Sequence, residues 1–229
     1  MTAVAIIPAR GGSKGIPRKN LRVVGGCPLI VHTIRQAIGS TAAARVYVST
    51  DDAEIAQVSL AAGARVIERP AEISGDTIGS EAVIEHAMPL MRADGAFDLV
   101  VFLQCTAPLR APGDIDGAVA ALEDAGADSL LSVSLSHRFL WRRGADGPEA
   151  INYDSTRRPR RQDLEAQYVE NGSIYVFRPW VLERLHNRLG GRIALYEMPG
   201  SAAFDIDDET DLAVIDLLMT RIEKAGHTP

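Results

Sequence analysis

The stretch that decides the fold lies close to the N-terminus, where residues 4–21 read VAIIPARGGSKGIPRKNL. Residues 4–7 form a short apolar run with β-branched side chains, which predicts a buried strand. The glycines and basic side chains after it predict a loop, and the apolar spacing of residues 29–38 predicts a helix beyond that loop. A strand, a loop and a helix in this order are the first unit of an α/β fold.

The same alternation continues along most of the chain. We predict further strands at 45–48, 64–67, 99–103, 130–133, 173–177 and 193–196, and further helices at 53–62, 80–91, 115–122, 180–185 and 209–224. Strands that alternate with amphipathic helices favour a Rossmann-like, mainly parallel sheet flanked by helices on both faces. We therefore expect a single α/β domain formed by residues 1–133 and 169–229.

The alternation stops between residues 134 and 168. This segment is polar and basic, and its apolar residues form no helical stripe. A structureless loop of such length is uncommon inside a compact domain, because connections between elements are usually short. We therefore expect residues 134–168 to form an inserted excursion, such as a hairpin arm that packs on a partner subunit.

Composition excludes several classes of protein. The chain has 30 acidic and 24 basic side chains, a formal charge of −6, whereas a general nucleic-acid binder usually needs a basic face. The longest nearly unbroken apolar run, Leu99–Leu103, is far shorter than the roughly 20 residues that span a bilayer. Cys27 and Cys105 form no disulfide or metal-binding pattern. We expect a cytoplasmic protein without a leader peptide, a membrane span or a nucleic-acid partner.

The loop after the first strand is the first candidate site. Its glycines allow close approach of a ligand to the backbone, and Arg10, Lys14 and Lys19 supply positive charge, as in a phosphate-binding loop. The loop follows the carboxyl end of a strand, where open α/β sheets bind ligands. It matches neither the Walker A loop nor the GxGxxG fingerprint, which argues against a P-loop NTPase and a classical dehydrogenase. The alternative is an ordinary glycine-rich turn with solvated charges.

An acidic segment near the C-terminus is the second candidate, with FDIDDETDL at residues 204–212. Asp205 and Asp207 lie two positions apart in an extended stretch, so their side chains project to one face. Magnesium prefers oxygen ligands and usually takes one or two carboxylates from a protein. We therefore predict Asp205 and Asp207 as metal ligands and Asp208 as a helix cap, and leave Asp211 undecided. The alternative is an acidic helix start that only complements the helix dipole.

Two further features carry polar side chains suited to a ligand. The first is RRPRRQD at residues 157–163, since arginine forks bind carboxylates and phosphates, although such a run is also typical of a solvated face. The second is Gln104, which follows a predicted strand and can hydrogen-bond a polar ligand at the sheet edge, or simply pack there. The sequence contains no nucleophile elbow. A phosphate loop and a magnesium pair without a nucleophile favour direct displacement at phosphorus.

In these motifs, the chain resembles the acylneuraminate cytidylyltransferases, also called CMP-sialic acid synthetases. The resemblance begins with IPARGGSKGIPRKNL at residues 7–21 and covers essentially the whole chain. Five further blocks follow in the family's order: RPAEISGDTIGS at 69–80, FLQCTAPLR at 102–110, RPRRQD at 158–163, ENGSIYVF at 170–177 and DIDDETDL at 205–212. The resemblance implies a nucleotidyltransferase fold.

The resemblance also implies an activity and residue roles. The activity is magnesium-dependent transfer of CMP from CTP to the anomeric 2-hydroxyl of a nine-carbon α-keto acid sugar, with release of pyrophosphate. The implied nucleotide-binding residues are Arg10, Gly11, Ser13, Lys14, Lys19, Asn20, Arg69 and Ser80. The implied sugar-binding residues are Gln104, Arg157, Arg161 and Gln162. Arg10, Lys19 and Asp207 are the implied catalytic residues, and Asp205 and Asp207 the implied Mg²⁺ ligands.

By the same resemblance, residues 134–168 are the dimerisation arm of a homodimer and deliver their arginines toward the neighbouring subunit's site. Neuraminate, its deaminated analogue KDN, legionaminate and pseudaminate all remain candidate acceptors. We expect no second, phosphatase-like domain of the kind found in animal relatives. Two alternatives stay open: a cytidylyltransferase for the eight-carbon sugar KDO or another sugar nucleotidylyltransferase, and a nucleotide-binding module without turnover.

Overall fold

The computed structural model of the protein describes residues 1–13 and 15–224, apart from the side chains of residues 161 and 222–224. The strands in this part of the chain are β1 (Ala3–Pro8), β2 (Val23–Val24), β3 (Cys27–Pro28), β4 (Ala43–Thr50), β5 (Arg65–Glu68), β6 (Leu99–Leu103), β7 (Ser129–Ser136), β8 (Trp141–Gly144), β9 (Gly147–Ala150), β10 (Gln167–Phe177) and β11 (Ile193–Met198). The helices are α1 (Leu29–Gly39), α2 (Ala53–Ala61), α3 (Ser80–Ala93), α4 (Asp114–Asp124), α5 (Pro179–Leu185) and α6 (Glu209–Lys224). The predicted strands and helices are all present, and only β10 begins well before its predicted start.

Seven strands form the central sheet, in the order β11, β7, β10, β6, β1, β4 and β5. All neighbouring pairs are parallel except those of β10, which is antiparallel to both β6 and β7. The predicted mainly parallel sheet is therefore confirmed. Because β1, β4 and β6 are parallel, their carboxyl ends meet at one edge, and the loops that follow them lie side by side.

Helices cover both faces of this sheet. In β1, Ile6 packs in a core with α3 and α5, whereas Ile7 packs on the opposite face with α1, α2, α4 and α6. The central strands are apolar on both faces for this reason, as expected of a parallel sheet between two helical layers. Across the residues that are described, no helix is both long and apolar enough to cross a membrane.

The segment between β7 and β10 leaves the sheet. Because β7 continues to Ser136 and β10 begins at Gln167, the excursion consists of residues 137–166 and is shorter at both ends than 134–168. Its centre is the β8–β9 hairpin, whose strands pair antiparallel outside the main sheet. Phe139 and Trp141 pack against the ring of Tyr153 and give this arm a small aromatic cluster of its own.

Candidate active site

A cavity of about 260 Å³ opens at the carboxyl edge of the parallel strands, beside the ends of β1 and β6. This is the edge at which open α/β sheets bind ligands. Seven of the residues implied by the resemblance line the cavity: Arg10, Ser13, Lys19, Asn20, Arg69, Ser80 and Gln104. The fold therefore brings together residues from three motifs that lie far apart in the sequence.

Lys19 and Asn20 enter the cavity from a 3-10 turn that follows the glycine loop. The turn begins after Arg18, whose φ of 54° is unusual for a residue with a side chain. The Lys19 side chain is only 15% exposed, and its Nζ donates to the carbonyl oxygen of Ile206 at 2.6 Å. Asn20 donates its Nδ2 to the carbonyl oxygen of Arg10 at 3.1 Å and so fixes the start of the loop.

Two arginines add positive charge to the same cavity. Arg10 forms an ion pair with Asp76, which also lines the cavity. Arg69 is buried and donates through Nη2 to the carbonyl oxygen of Ser49 at 2.6 Å. Burial lowers the pKa of the Arg69 guanidinium, an effect that nearby Asp51 opposes. With Lys19, these side chains make the cavity suited to an anionic ligand such as a phosphate chain.

The acidic segment runs alongside the glycine loop. Ile206 is fully buried and its N–H donates to the carbonyl oxygen of Thr106 at 3.0 Å, whereas Asp205 and Asp207 on either side of it are exposed. Both carboxylates therefore project from the same side of the segment. Asp207 Oδ1 lies 3.7 Å from Lys19 Nζ.

The donor chemistry of this acidic pair fits Mg²⁺. Two carboxylates supply hard oxygen ligands, and magnesium commonly completes its shell with phosphate and water. The part of the chain that the structure describes contains no group of three or more His, Cys, Asp or Glu side chains arranged to hold a metal ion. The two carboxylates would therefore hold Mg²⁺ together with phosphate and water ligands.

The next two acidic residues stabilise the start of α6. Asp208 Oδ1 accepts hydrogen bonds from the N–H groups of Thr210 and Asp211 at 2.7 and 3.0 Å. Asp211 Oδ2 accepts from the N–H groups of Asp207 and Asp208 at 3.0 and 3.1 Å, which completes a reciprocal capping box. The bonds from the Asp211 and Thr210 backbone lower the pKa of the Asp208 carboxyl. Asp208 is thus a cap, as predicted, and Asp211 is its partner.

Two glycines of the loop have separate roles. A Cβ on Gly15 would lie 2.2 Å from the carbonyl oxygen of Asp207, so only glycine lets the loop pack directly on the acidic segment. Gly11 does not line the cavity; its N–H donates to Asp51 Oδ1 at 3.0 Å. A Cβ there would lie 2.6 Å from Asp52 Oδ2. Gly11 therefore attaches the base of the loop to the end of β4.

Gln104 approaches the cavity from the other side, directly after β6. Its Oε1 would lie 2.6 Å from a Cβ on Gly172, a residue of β10 with a φ of +65°. Next to Gly172, the buried Asn171 accepts a hydrogen bond from Ser132 Oγ at 2.6 Å and donates to Ser134 Oγ at 3.2 Å. Neither Asn171 nor Gly172 is among the predicted site residues, although an Asn-Gly pair within a strand is a signal of a bulge or a close approach.

The described side chains of the arm's arginine-rich segment do not line the cavity of their own chain. Arg157 and Gln162 are exposed and do not line it. Arg158 lies over the ring of Phe139 at 4.4 Å, and Arg160 pairs with Asp163 at 2.7 Å, both within the arm. Lys14 and the side chain of Arg161 lie outside the described residues.

Comparison with known proteins agrees with this architecture. Residues 4–223 match the family described as Cytidylyltransferase. N-acylneuraminate cytidylyltransferase A from Danio rerio is 38% identical over 226 residues, which are 97% of this chain and 52% of that protein. The chain spans about half the length of the fish relatives that it matches. Post-translational flagellin modification protein B from Campylobacter coli is 32% identical over 221 residues, 93% of each chain.

A solved structure of CMP:2-keto-3-deoxy-manno-octonic acid synthetase complexed with CTP has the same fold, with a TM-score of 0.73. It is 21% identical, and the match covers 96% of this chain and 99% of that one. The similarity to N-acylneuraminate cytidylyltransferases that the motifs indicated is therefore confirmed. With a basic glycine loop and an acidic pair at one sheet edge and a family match along nearly its whole length, this chain belongs to the cytidylyltransferase family.

Proposed function

We propose that the protein transfers CMP from CTP to the anomeric 2-hydroxyl of a nine-carbon α-keto acid sugar and releases pyrophosphate. One observation carries the proposal: Lys19 Nζ lies 2.6 Å from the carbonyl oxygen of Ile206 and 3.7 Å from Asp207 Oδ1. The cationic loop thus meets the acidic segment at Asp207. Transfer from a nucleoside triphosphate needs this combination, because the phosphates require cations and the divalent ion requires carboxylates.

The cationic side would hold the triphosphate. Arg10 and Lys19 supply charged donors, Ser13 supplies a hydroxyl, and Lys14 is assigned beside them from its place in the motif. We assign Asn20, Arg69 and Ser80 to the nucleoside from their places in the motifs, and all three line the same cavity as Arg10 and Lys19. Lys19 and Arg10 would offset the charge that develops on the leaving pyrophosphate.

Asp205 and Asp207 would hold Mg²⁺ on the acidic side. When bound, the ion would neutralise phosphate charge and lower the pKa of a hydroxyl that approaches it. The capping box of Asp208 and Asp211 holds the backbone of Asp207 in place through its N–H. The Lys19 ammonium and the Gly15 contact fix the same segment from the loop side.

The chain's own residues act by positioning rather than by covalent catalysis. The only thiol that lines the cavity among the described residues is that of Cys105, and burial raises its pKa to about 12, so it stays protonated. The acceptor hydroxyl must be aimed in line at the α-phosphorus, which converts an encounter in solution into an intramolecular step. Gln104, at the side of the cavity next to β10, is the residue we assign to hold the sugar.

We further propose a homodimer in which the arm of one subunit completes the site of the other. Several large apolar side chains on the arm and on the adjoining ends of β7 and β10 are exposed: Leu135, Leu140, Trp141, Ile151, Tyr168 and Val169. A patch of this kind is typical of a protein interface. A second copy on it would bring Arg157, Arg161 and Gln162 toward the neighbouring cavity. Cys27 and Cys105 form no disulfide with each other, which suits the cytoplasm as the compartment.

The decisive experiment is pyrophosphate release with CTP and Mg²⁺. It would be run in parallel on N-acetylneuraminate, KDN, legionaminate, pseudaminate and KDO, with ATP, GTP and UTP as nucleotide controls. We expect release with CTP and a nine-carbon acid. Release with KDO alone would identify an eight-carbon acceptor instead. No release with any sugar, while CTP still raises the melting temperature, would identify a binding module without turnover.

A further inference from the structure

Arg110 is a buried charge that forms no ion pair with any described carboxylate. It is 1% exposed and is the largest fully buried side chain among the described residues. Burial lowers the pKa of its guanidinium to about 10. Burying a charge without an ion-pair partner is costly unless every donor is satisfied. A buried arginine of this kind therefore indicates a structural or functional requirement.

All five N–H donors of this guanidinium are used. Nη2 donates to the carbonyl oxygens of Gln104 at 2.6 Å and Ser173 at 2.7 Å, and Nε donates to Ser173 again at 3.2 Å. Nη1 donates to Thr33 Oγ1 at 3.2 Å and Gln36 Oε1 at 3.1 Å. Three elements therefore meet on one side chain: the end of β6, the middle of β10 and helix α1.

The two carbonyl groups belong to the segments that orient the Gln104 amide. One is the carbonyl of Gln104 itself, and the other belongs to Ser173, next to the Gly172 backbone on which Gln104 Oε1 packs. Gln36 also donates its Nε2 to the carbonyl oxygen of Pro108 at 2.8 Å, so the turn between Gln104 and Arg110 is closed against α1. Arg110 thus fixes both the backbone that carries the Gln104 side chain and the strand on which that side chain packs.

We infer that Arg110 is a positioning residue for the acceptor sugar, acting through Gln104. The inference rests on the proposed function, because it takes Gln104 as the residue that contacts the acceptor. A lysine cannot replace the guanidinium, since its three donors radiate from a single nitrogen and do not span two strands and a helix.

The first test is the variant Arg110→Lys, measured in pyrophosphate release. We expect the KM for the acceptor to rise about tenfold and kcat to fall, because small misplacements of a positioning group are costly. The dissociation constant for CTP should stay within about twofold of the wild type, since the nucleotide-side residues do not contact Arg110. An equal loss of CTP binding would indicate general damage and would overturn the inference.

The second test is a double-mutant cycle with Gln104→Ala. If Arg110 acts through Gln104, the double variant has the same acceptor KM as Gln104→Ala alone. If the fold-increases in acceptor KM of the two single variants multiply in the double variant, Arg110 acts by another route. If Arg110→Lys does not fold, Thr33→Val removes one of the two α1 acceptors of the guanidinium and leaves the bond from Gln36 to Pro108 in place. It should raise the acceptor KM in the same direction by about twofold to threefold, and an unchanged KM would contradict the inference.

A third measurement does not depend on turnover. The side-chain amide signal of Gln104, identified by its loss in Gln104→Ala, should move toward the position of a free glutamine in Arg110→Lys. The Asn20 amide, which donates to Arg10, serves as the internal control and should not move. An unmoved Gln104 signal overturns the inference whatever the activity. A moved signal with no release on any sugar from the wild type upholds the positioning and refutes the proposed function.

Discussion

The ammonium of Lys19 donates to the carbonyl oxygen of Ile206 at 2.6 Å, although 187 positions separate the two residues. This bond joins the first loop of the chain to the segment that precedes its last helix. The same ammonium lies 3.7 Å from Asp207 Oδ1, with the lysine side chain largely buried. Lys19 therefore has two tasks: it holds the acidic segment against the loop, and it presents a positive charge where we propose that phosphate binds.

Replacing Lys19 by alanine should lower kcat for pyrophosphate release by about two to three orders of magnitude, because a preorganised charge at phosphorus is lost. The matched control is Arg22→Ala, which removes another cation that links this region to the final helix, through an exposed pair with Glu209. The control should retain near-wild-type turnover. Near-wild-type rates in Lys19→Ala, measured under saturating CTP, would remove Lys19 from the catalytic residues.

Asp207→Ala should mainly lower turnover, whereas Asp211→Ala should mainly lower stability. The Asp207 side chain is 81% exposed, so its loss should leave the fold intact but lower turnover by about two orders of magnitude or more if it holds the metal. Asp211→Ala breaks the capping box and its hold on the Asp207 backbone, so it should lower the free energy of unfolding by about 1 kcal/mol and lower turnover far less than Asp207→Ala does. Magnesium titrations of activity and urea unfolding of both variants would check this contrast. Equal effects on both quantities would contradict it.

Much of the fold follows from local pattern. The apolar run of β1 is buried on both faces, and the glycine loop and Gln104 follow strands whose carboxyl ends share an edge, so the position of the cavity was predictable. The antiparallel direction of β10 was not predictable, because a buried strand has the same apolar pattern whichever way it pairs. The extent of the arm was misjudged for a related reason: the polar ends of β7 and β10 are strand only because they pair with each other.

Within the site, the sequence predicts the charged residues but not the residues that hold them in place. Arg110 stands in the FLQCTAPLR block, yet its five hydrogen bonds go to α1, β10 and the end of β6, which no local pattern relates. Asp211 stayed undecided because a metal ligand and a helix cap use the same residue type. Gly11 was assigned to the nucleotide, whereas its N–H is bound by Asp51, a partner 40 positions away.

Two buried serines offer a test of hydrogen-bond energetics beside the site. Ser132 and Ser173 are each 1% exposed. Ser132 Oγ donates to Asn171 Oδ1 at 2.6 Å and accepts from the N–H of Ile174 at 2.8 Å, whereas Ser173 Oγ has no hydrogen-bond partner among the described atoms. Ser132→Ala should lower the free energy of unfolding by about 1–3 kcal/mol, and Ser173→Ala should leave it unchanged or raise it. Equal urea midpoints for the two variants would contradict this reasoning.

The two cysteines should differ in reactivity. Burial raises the pKa of the Cys105 thiol from 9.0 to about 12, so it is protonated in the folded protein at pH 8. Alkylation by iodoacetamide at that pH, followed by mass spectrometry, should modify the half-buried Cys27 first and Cys105 only on unfolding. Equal rates for both thiols would contradict the burial of Cys105.

The same shift predicts how stability varies with pH. Because the folded-state pKa of Cys105 lies above the unfolded value, the thiol contributes stability that is fully present below pH 9.0 and is lost as the pH rises toward about 12. Cys105→Ala should therefore lose less stability than the wild type between these two pH values. Urea unfolding at pH 8 and at pH 10.5 would measure the difference, and parallel losses in both proteins would rule out this thiol as the cause.

The proposed role of the arm predicts a change in the KM for the acceptor but not in the affinity for CTP. Arg157→Ala and Arg161→Ala should each raise the acceptor KM by about tenfold with little change in the CTP dissociation constant, if these arginines bind the sugar's carboxylate. Arg160→Ala is the control, because Arg160 already pairs with Asp163 within the arm. An unchanged acceptor KM in Arg157→Ala and Arg161→Ala would mean that the cluster is a solvated face.

Mixing two impaired chains distinguishes an arm that acts on the partner from one that acts on its own chain. In a mixed dimer of Arg161→Ala and Lys19→Ala, an arm acting on the partner creates one site with both a wild-type loop and a wild-type arm. Such dimers, formed by refolding the two chains together, should recover up to about half the wild-type kcat at the wild-type acceptor KM. If each arm serves its own chain, no site is complete and the mixture keeps the raised KM of Arg161→Ala.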